Sequence, residues 1–518
     1  MICRISCIMK TNFFMGILVS LLVTGVVSTG KTTTANDKAI EETAQRVDYF
    51  HYVKQTCDAL LEHGVDNYGP VKTGMIISML DRFSLEPFDS LPPAPEGLRS
   101  QDRADTFGHN ANLQFNLYRV LYLLSDITGD PKYRRGAQAD LSDFLKYAQS
   151  PETGLLGWGE HLFYDLKEDK VQSGFKRGKR YPKYHEMKRK FLFWDFFYKN
   201  NPQAVLNFAG GLWEHQIYNQ ATGNFSRHAL WDKHGPNKDY DFPKEGSYMI
   251  DVWARSFQAT QNPVFQNAIN VLVSRYIKKI NPIYLIDFDT ARPDYCDNTA
   301  TLGLAVECEN AAKRLPENGI RDKLEFLASE IDKGFLLLGH RPANPQKGFY
   351  YSVYTNNGKL KPRHGGIGYS FYWGMSYGRK TTAMLANLCY GRYLQLCEGT
   401  EKEKYRLLVV QAADGYLNFD PDLSAGEIWP VEYGMVIFSE LAAYKLTGQK
   451  KYLQRAQTLC DDALQIFWDK KSPLPKASSK LNHYEAVTRA DTLLLALLAV
   501  YVELNELPIK VPFSDIDR

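Results

Sequence analysis

TGDPKY, from Thr128 to Tyr133, separates two stretches of sequence in which apolar residues recur every three or four positions. Related hexapeptides occur twice more, as TQNPVF from Thr260 to Phe265 and as TGQKKY from Thr447 to Tyr452. Each begins with threonine, continues through a polar turn and ends on an aromatic residue, with an alanine shortly after it. Such a pattern predicts the end of one helix, a tight turn and the start of the next. The chain is therefore predicted to repeat a helical hairpin.

Helical periodicity extends along most of the 518 residues, and no comparable set of alternating strands accompanies it. The predicted helices are Ala111–Ser125, Tyr133–Tyr147, Tyr248–Thr260, Val264–Ile277, Thr299–Arg314, Ile320–Leu338, Thr382–Leu396, Glu403–Leu417, Tyr433–Leu446, Tyr452–Phe467 and Ala486–Leu504. Short aromatic runs such as Gly348–Tyr354 are expected to form minor strands within loops.

The spacing of the hairpins is irregular, and long polar connections such as Ser84–His109 and Arg341–Gly378 interrupt it. A regular solenoid with a fixed period would lack these insertions. Long loops on one rim of a closed ring explain them better. The predicted fold is all-α, an (α/α) toroid or barrel of helical hairpins with minor β structure in loops. One catalytic domain is expected to fill residues 29–518.

The first residues resemble an export signal. Lys10 precedes an apolar stretch from Phe13 to Val26, which small residues follow. That stretch is shorter than the roughly 20 residues that a spanning helix needs. We therefore expect residues 1–28 to be a signal peptide, the protein to be exported to the periplasm or secreted, and the remaining chain to have no membrane span.

The composition excludes some partners. The net charge is only +3, so nothing in the overall charge indicates nucleic acid. A local basic run between Lys176 and Lys190 is typical of a solvated surface, or alternatively attracts an anionic substrate. The cysteines beyond the predicted signal are sparse and show no metal-ligand spacing, so disulfides are not expected to be the main cross-links that stabilise the fold.

Reactive side chains gather in three clusters: WGEHLFYDL (Trp158–Leu166), KYHEMKRK (Lys183–Lys190) and WEHQIYNQATGNFSRHALWDKH (Trp213–His234). Imidazole and carboxylate groups together can bind a divalent ion, and a mixed set suits Mn or Zn better than Ca. None of the pairs has the tight spacing of a metalloprotease helix, and a single histidine is more often structural. Their concentration in one region nevertheless predicts an active site there.

The order His161, Glu186, Arg227–His228 on a chain of helical hairpins resembles the pectate lyases of polysaccharide lyase family two. The resemblance implies an (α/α) barrel that acts on an acidic, pectate-like polysaccharide or oligosaccharide. It further implies a divalent metal ion of the Mn or Ca type, with His161, Glu186 and His228 as ligands and Arg227 as the catalytic base. His109 and His185 are alternatives to His161 as the first ligand.

The reaction that this resemblance implies is β-elimination, in which a base removes the proton next to a uronate carboxylate and the glycosidic oxygen departs. Arginine is almost always charged in proteins, so the role of Arg227 rests on the resemblance alone. Tyr164, Tyr184 or Tyr248 can serve as base or acid instead. The candidate catalytic residues are Arg227, Tyr248 and Glu160.

Aromatic and basic residues are candidates for binding the sugar. The stretch KPRHGGIGYSFYWGMSYGRK (Lys361–Lys380) places glycine, aromatic and arginine residues together, as in a loop that stacks on a sugar and pairs with a carboxylate. The candidate substrate-binding residues are Trp158, Trp213, Arg363, His364, Tyr372, Trp373 and Arg379.

Two other functions remain open from the sequence. A glycoside hydrolase on the same toroid would use two carboxylates across the scissile bond. Its candidates are Glu160, Asp165, Glu186, Glu214, Asp251 and Asp297, although a helix N-cap is the simpler role for Asp297. A non-catalytic helical-repeat protein that only binds glycan would explain the repeats and aromatics, but not the gathering of histidine, carboxylate and arginine.

Overall fold

A computed structural model describes residues 48–236, 240–363, 366–374, 379–513 and 517. The predicted signal peptide at residues 1–28 lies outside these ranges. From Asp48 to Arg518 the chain forms one compact unit. Within the described ranges no helix combines the length and apolar character that a membrane crossing requires.

Fourteen α-helices run through the described ranges. They are α1 Tyr49–His63, α2 Phe115–Thr128, α3 Lys132–Tyr147, α4 Trp194–Asn200, α5 Pro202–Gly211, α6 Pro243–Thr260, α7 Pro263–Lys278, α8 Asn298–Ala312, α9 Gly319–Leu337, α10 Thr382–Gln395, α11 Thr400–Tyr416, α12 Pro430–Thr447, α13 Lys450–Phe467 and α14 Ala490–Leu504.

The three threonine turns have the same structure. The hydroxyls of Thr128, Thr260 and Thr447 each donate to the carbonyl oxygen four residues earlier and accept the backbone N–H two residues later. The residue after each threonine is left-handed, with φ of 73°, 57° and 69°. This conformation ends a helix, because the turned backbone N–H bonds back to the last carbonyls. The predicted hairpin repeat is confirmed at each of the three turns.

The hairpins close into a ring. Helix α2 contacts α14, and contacts continue through α12, α10 and α8 to α6. The outer helices α3, α7, α9, α11 and α13 each pack against the inner helix that precedes them, and α1 packs on α14. The short helices α4 and α5 complete the circle between α3 and α6. This arrangement is an (α/α) toroid, so the predicted fold class is confirmed.

Burial separates the two layers. The inner helices α8, α12 and α14 are buried on nearly every face, because they contact neighbours on both sides and the interior of the ring. The outer helix α13 buries a single stripe that includes Tyr452, Leu459 and Phe467. Outer helices therefore keep the amphipathic pattern that makes them recognisable in sequence.

Short strands lie in the connections. They are β1 Met79–Asp81, β2 Gly108–His109, β3 Leu162–Asp165, β4 Lys170–Ser173, β5 Phe175–Lys176, β6 Lys179–Arg180, β7 Tyr184–His185, β8 Ile217–Asn219, β9 Asn224–Phe225, β10 Ala229–Leu230, β11 Tyr295–Asp297, β12 Ser352–Tyr354 and β13 His483–Glu485. They form the three-stranded sheet β2-β3-β4 and two-stranded pairs, so the expected minor β structure is confirmed.

Some boundaries differ from the predictions. Helix α14 begins at Ala490 rather than Ala486, because Arg489 has a φ of 58° and the preceding turn is a separate 3-10 helix. The run Gly348–Tyr354 contributes the strand β12, which pairs with β11 and also forms an antiparallel bridge to the segment just after it, with Val353 opposite Leu360. Helices α1, α4 and α5 were not predicted.

Candidate metal centre and substrate groove

Strand pairing brings three separate segments to one place. Strands β7 and β10 pair antiparallel, with Ala229 opposite His185. Glu186 follows β7 and His228 precedes β10, so the two side chains become neighbours. The backbone N–H of Glu160 donates to the Glu186 carbonyl oxygen at 3.1 Å, which adds the segment before β3. The segments that carry the three metal ligands implied by the resemblance are therefore brought together by backbone hydrogen bonds.

A glycine makes the closest of these approaches feasible. Gly159 has a φ of 93°, and a Cβ placed on it would lie 1.6 Å from the Glu186 carbonyl oxygen. Any other residue would be strained in this conformation and would also push the two segments apart. Gly159 thus sets the distance between the Glu160–His161 segment and Glu186.

Four side chains form a candidate metal centre. Glu160, His161, Glu186 and His228 each offer a ligand atom, and these atoms all lie within 4.8 Å of one another. His228 Nε2 lies 2.7 Å from Glu186 Oε2 and 3.1 Å from His161 Nε2. His161 Nε2 lies 3.5 Å from Glu160 Oε2 and 3.6 Å from Glu186 Oε2. Two imidazoles and two carboxylates aimed at one point form a donor set that fits a divalent transition metal.

Asp102 orients the first histidine from behind. Its Oδ1 lies 2.9 Å from His161 Nδ1, and both side chains are buried. A proton held on Nδ1 by this carboxylate leaves the Nε2 lone pair facing the cluster, which is the tautomer that a metal ligand needs. Burial lowers the pKa of His161, but the interaction of its Nδ1–H with the Asp102 carboxylate and the charge of Glu160 outweigh it and raise that pKa.

The charges of the cluster balance through Arg227. Its Nη1 lies 2.6 Å from Glu186 Oε1 and 3.1 Å from Glu160 Oε2. Burial opposes ionisation of Glu186, but Arg227 and His228 hold the pKa of its carboxyl at about 2. Burial also disfavours the charged form of Glu160, yet Lys188 and His161 hold that pKa well below its usual value. Both carboxylates are therefore charged at neutral pH.

The same contacts affect Arg227 and His228. Burial favours the neutral form of Arg227, but Glu186 and Glu160 raise its pKa above the ordinary arginine value. Burial lowers the pKa of His228 in spite of Glu186, so this imidazole is neutral at pH 7 and offers a lone pair. Tyr184 stacks on the His228 ring, with centroids 4.9 Å apart and planes 11° apart.

A cavity of about 300 Å³ opens beside the cluster and carries an excess of positive charge; we call it the cationic cavity. Its charged lining residues are Arg99, Lys188, Arg227, Lys244, Arg292, Arg363 and Lys380, against the carboxylates Glu160 and Asp297. Most of these cations come from connections between helices, as expected of loops on one rim. Such a lining attracts a polyanion.

Lys380 differs from the other cations of this cavity. Burial, together with repulsion from Lys244 and Lys188, lowers its pKa to about 7, although Asp297 opposes the shift. Its charge therefore changes within the physiological pH range. Lys188 forms an ion pair with Glu160, with Nζ 2.7 Å from Oε1.

The alternative first ligands lie elsewhere. His109 is fully buried, with Nδ1 2.7 Å from the Ile76 carbonyl oxygen and Nε2 3.2 Å from Asp140 Oδ1. His185 is also buried, and its Nε2 accepts a hydrogen bond from the Trp158 indole at 3.2 Å. The four-residue cluster contains His161 and neither of these two.

Several predicted site residues lie in the core. Trp158 has no exposed surface and stacks on Phe144, so it cannot present a face to a sugar in this structure. Trp213 is buried against Trp253, with ring centroids 5.9 Å apart. Tyr248 is fully buried within α6, whereas Tyr184 lines a cavity with Arg227 and His228. The aromatic character of Trp158 and Trp213 reflects core packing, because Trp158 lies among phenylalanine rings of α2, α3 and α5 and Trp213 packs on Trp253 of α6.

The residues from Lys361 to Lys380 divide between two places. Arg363 lines the cationic cavity and lies over the Tyr295 ring, 4.4 Å from its centroid. Trp373 and Arg379 line a different cavity, described below. Tyr372 is buried, and its hydroxyl donates to the Pro342 carbonyl oxygen. His364 lies outside the described residues.

The remaining hydrolase candidates have structural partners. Asp297 accepts the N–H groups of Thr299 and Ala300, which confirms its N-cap role on α8. Asp165 accepts two backbone N–H groups in the turn after β3. Asp251 pairs with Arg255 one turn later on α6, at 3.0 Å. Glu214 is exposed to solvent.

Sequence reasoning missed several residues of the site. Asp102 follows no motif, and only its contact with His161 reveals a role. Lys188 belongs to the basic run and lines the cationic cavity, but its neighbour Arg189 is buried and pairs with Asp491 and Asp517. Lys244 stands at the start of α6, and nothing in its local sequence marks it.

Comparison with known proteins identifies a family that matches the part of the chain holding the cluster. Residues 94–274, which contain all four cluster residues, match the model of a family described as periplasmic pectate lyase. The resemblance to pectate lyases is confirmed. A pectate disaccharide-lyase from Dickeya dadantii is 29% identical over 126 residues, which are 23% of this chain. The matched segment spans 22% of that pectate lyase's own length.

Solved structures with similar chain courses include two sugar-processing enzymes. The cellobiose 2-epimerase of Bacillus thermoamylovorans aligns over 90% of this chain and 99% of its own, at 10% identity and a TM-score of 0.45. An unsaturated glucuronyl hydrolase specific for heparin aligns over 89% of this chain and 99% of its own, at 12% identity and a TM-score of 0.46. The toroid of this chain is established by its own helix contacts.

Proposed function

We propose that this chain cleaves a uronate-containing, pectate-like polysaccharide by β-elimination, and that it acts outside the cytoplasm. The observation that carries the proposal is the convergence of His161, Glu186 and His228 beside Arg227, in the order that the pectate lyase resemblance implies. The excess of cations in the adjoining cavity supports an acidic substrate.

The donor set fits a divalent metal. Asp102 fixes His161 with Nε2 toward the cluster, and His228 is neutral at pH 7. Two imidazole nitrogens favour Mn over Ca, which prefers oxygen ligands. Glu160 joins the three predicted ligands as a fourth. A divalent ion held there would neutralise the uronate carboxylate, which would acidify the neighbouring C–H bond and stabilise the enediolate-like charge that develops as the proton leaves.

The residues of the chain hold the substrate and move the protons. Lys188, Arg292 and Arg363 line the cavity next to the cluster and can pair with uronate carboxylates. In the reaction the proton beside the carboxylate leaves as its C–H bond breaks, a C=C bond forms, and the glycosidic C–O bond breaks. We assign the proton-accepting role to Arg227 on the resemblance alone, because its contacts with Glu186 and Glu160 raise its pKa and favour the charged guanidinium. We assign the protonation of the departing oxygen to Tyr184, which stacks on His228 and lines a cavity with Arg227.

The hydrolase alternative has less support. Glu160 and Glu186 are the carboxylates nearest the cationic cavity, and their ligand atoms lie within 4.8 Å of each other. Retaining glycosidases place their two carboxyl groups about 5–5.5 Å apart, and inverting ones place them farther apart still. Both carboxylates also share the single Nη1 of Arg227, which leaves neither positioned as an independent acid.

Product analysis tests the proposal. Polygalacturonate incubated with the protein and Mn²⁺ is expected to gain the ultraviolet absorbance of an unsaturated uronate. Arg227→Lys and His228→Ala are expected to reduce the rate by about 10²–10⁴, the usual effect of removing a catalytic acid or base. His215→Ala is the matched control, because His215 pairs with His234 outside the cluster. New reducing ends without the absorbance would refute elimination, and full activity of Arg227→Lys would refute the role of Arg227.

A further inference from the structure

A second cavity of about 560 Å³ adjoins the cationic cavity, and we call it the aromatic cavity. The two cavities share loops, because consecutive residues line one and then the other. Gly97 and Lys380 line the cationic cavity, and their neighbours Glu96 and Arg379 line the aromatic cavity. A glycan bound in one cavity therefore passes close to the other.

Aromatic rings form part of its wall. Tyr369, Phe371, Trp373 and Phe419 line the cavity. The Trp373 indole is fixed, because its Nε1 donates to the Phe419 carbonyl oxygen at 2.9 Å. The ring also packs on Tyr433, with centroids 5.0 Å apart, while part of its surface stays exposed. A preset aromatic face binds the C–H face of a sugar with little loss of side-chain entropy.

The charge of the aromatic cavity is opposite to that of its neighbour. Its charged lining residues are the carboxylates Glu96, Asp420, Asp422 and Glu427 and the single cation Arg379. Glu96 and Glu427 hold each other in place, since each carboxylate accepts the other's backbone N–H, at 3.2 Å and 3.1 Å. Arg379 is engaged locally, with Nη1 3.1 Å from the Gly374 carbonyl oxygen and its guanidinium 5.1 Å from the Phe371 ring centroid.

This charge decides which sugar the cavity accepts. Carboxylates accept hydrogen bonds from sugar hydroxyls but repel a uronate. An aromatic wall with acidic neighbours therefore selects an uncharged pyranose or furanose, whereas the cationic cavity selects an anionic one.

We propose that the aromatic cavity is a binding site for an uncharged sugar residue, and that the natural substrate is a uronate polysaccharide that also carries neutral sugars. The composition of the natural substrate rests on the proposed lyase function, whereas the binding of an uncharged sugar does not. The site lies in the C-terminal part of the chain, beyond the residues that match the pectate lyase family.

Calorimetric titration tests the binding. The probes are neutral tetrasaccharides from galactan, arabinan and xylan, and tetragalacturonate as the anionic counterpart. We expect at least one neutral tetrasaccharide to bind the wild-type protein, and Trp373→Ala to weaken that affinity about tenfold or more. Tetragalacturonate affinity is expected to change less than twofold in the same variant. Trp231→Ala is the matched control, because Trp231 is also half-buried and also donates its indole N–H to a backbone carbonyl oxygen.

Further variants separate the possible failures. Trp373→Phe keeps an aromatic ring, so a loss of a few-fold in neutral-sugar affinity is expected even if Trp373→Ala does not fold. His228→Ala should remove turnover and leave neutral-sugar affinity intact, which distinguishes this proposal from the lyase assignment. The proposal is overturned if no neutral tetrasaccharide binds, if Trp373→Ala binds it as tightly as the wild type, or if Trp373→Ala weakens tetragalacturonate equally.

Discussion

Asp102→Asn tests whether the Asp102 carboxylate orients His161 for metal binding. The substitution keeps the side-chain shape but removes the charge that lies 2.9 Å from His161 Nδ1. A buried hydrogen bond to a charged group contributes about 1.5–3 kcal/mol, and one between neutral groups about 0.5–1.5 kcal/mol. The difference of roughly 1–1.5 kcal/mol corresponds to about a tenfold loss of Mn²⁺ affinity. Loss of a carboxylate behind a metal-bound histidine typically costs about 10–100-fold, which agrees.

The assay is calorimetric titration of the metal-free protein with Mn²⁺, together with a melting curve in excess chelator. Asp105→Asn is the matched control, because Asp105 lies on the same connection but pairs with Arg180 at 2.6 Å. Arg99→Met isolates the other partner of Asp102, whose Nε lies 2.5 Å from Asp102 Oδ2. Unchanged Mn²⁺ affinity in Asp102→Asn, or an equal loss in Asp105→Asn, would refute the orienting role.

Three further outcomes are expected. The pKa of Lys380 is about 7, so its charge is present below pH 7 and is lost above it. In a pH series at constant ionic strength, KM for polygalacturonate should therefore rise as the pH passes through 7. Lys380→Arg should flatten that rise. Gly159→Ala should lower the melting temperature by far more than Gly178→Ala, because both glycines have positive φ but a Cβ on Gly178 meets nothing within 4 Å; equal melting temperatures would exclude the clash. Thr260→Val removes a hydroxyl that forms hydrogen bonds on both sides of a turn, whereas the hydroxyl of Thr458 donates only to a carbonyl oxygen on the exposed face of its own helix. In chemical unfolding, Thr260→Val should therefore lower the free energy of unfolding by about 1 kcal/mol more than Thr458→Val.

The helical hairpins could be predicted because their signals are local. A threonine, a left-handed residue and a buried aromatic within six positions contain the chemistry of the whole turn, as at Thr260–Phe265. Helices α4 and α5 were missed because they are short, and their start and stop signals, such as Asn201 before Pro202, lie inside a segment dominated by aromatics.

The candidate metal ligands could be predicted only as far as the family resemblance reached. His161, Glu186 and His228 have the order of pectate lyases, but His109 and His185 also qualified as the first ligand. Strand register excludes His185 from the cluster. The pairing of β7 with β10 turns Glu186 toward His228 and directs the His185 side chain into the core. A side chain's direction reverses with each step along a strand, so a shift of one residue would exchange their roles.

By itself the sequence determined a toroid of helical hairpins, a reactive region between Trp158 and His234, and a likeness to pectate lyases. Only the tertiary structure decided that Glu160 lies beside the three candidate ligands, that Asp102 stands behind His161, and that Trp158 belongs to the core. It also decided the opposite charges of the two adjoining cavities. The physical reason is range: helix periodicity and turn chemistry act within a few residues, whereas a site depends on the approach of segments far apart in the chain. That approach is set by strand register, glycine contacts and ring closure.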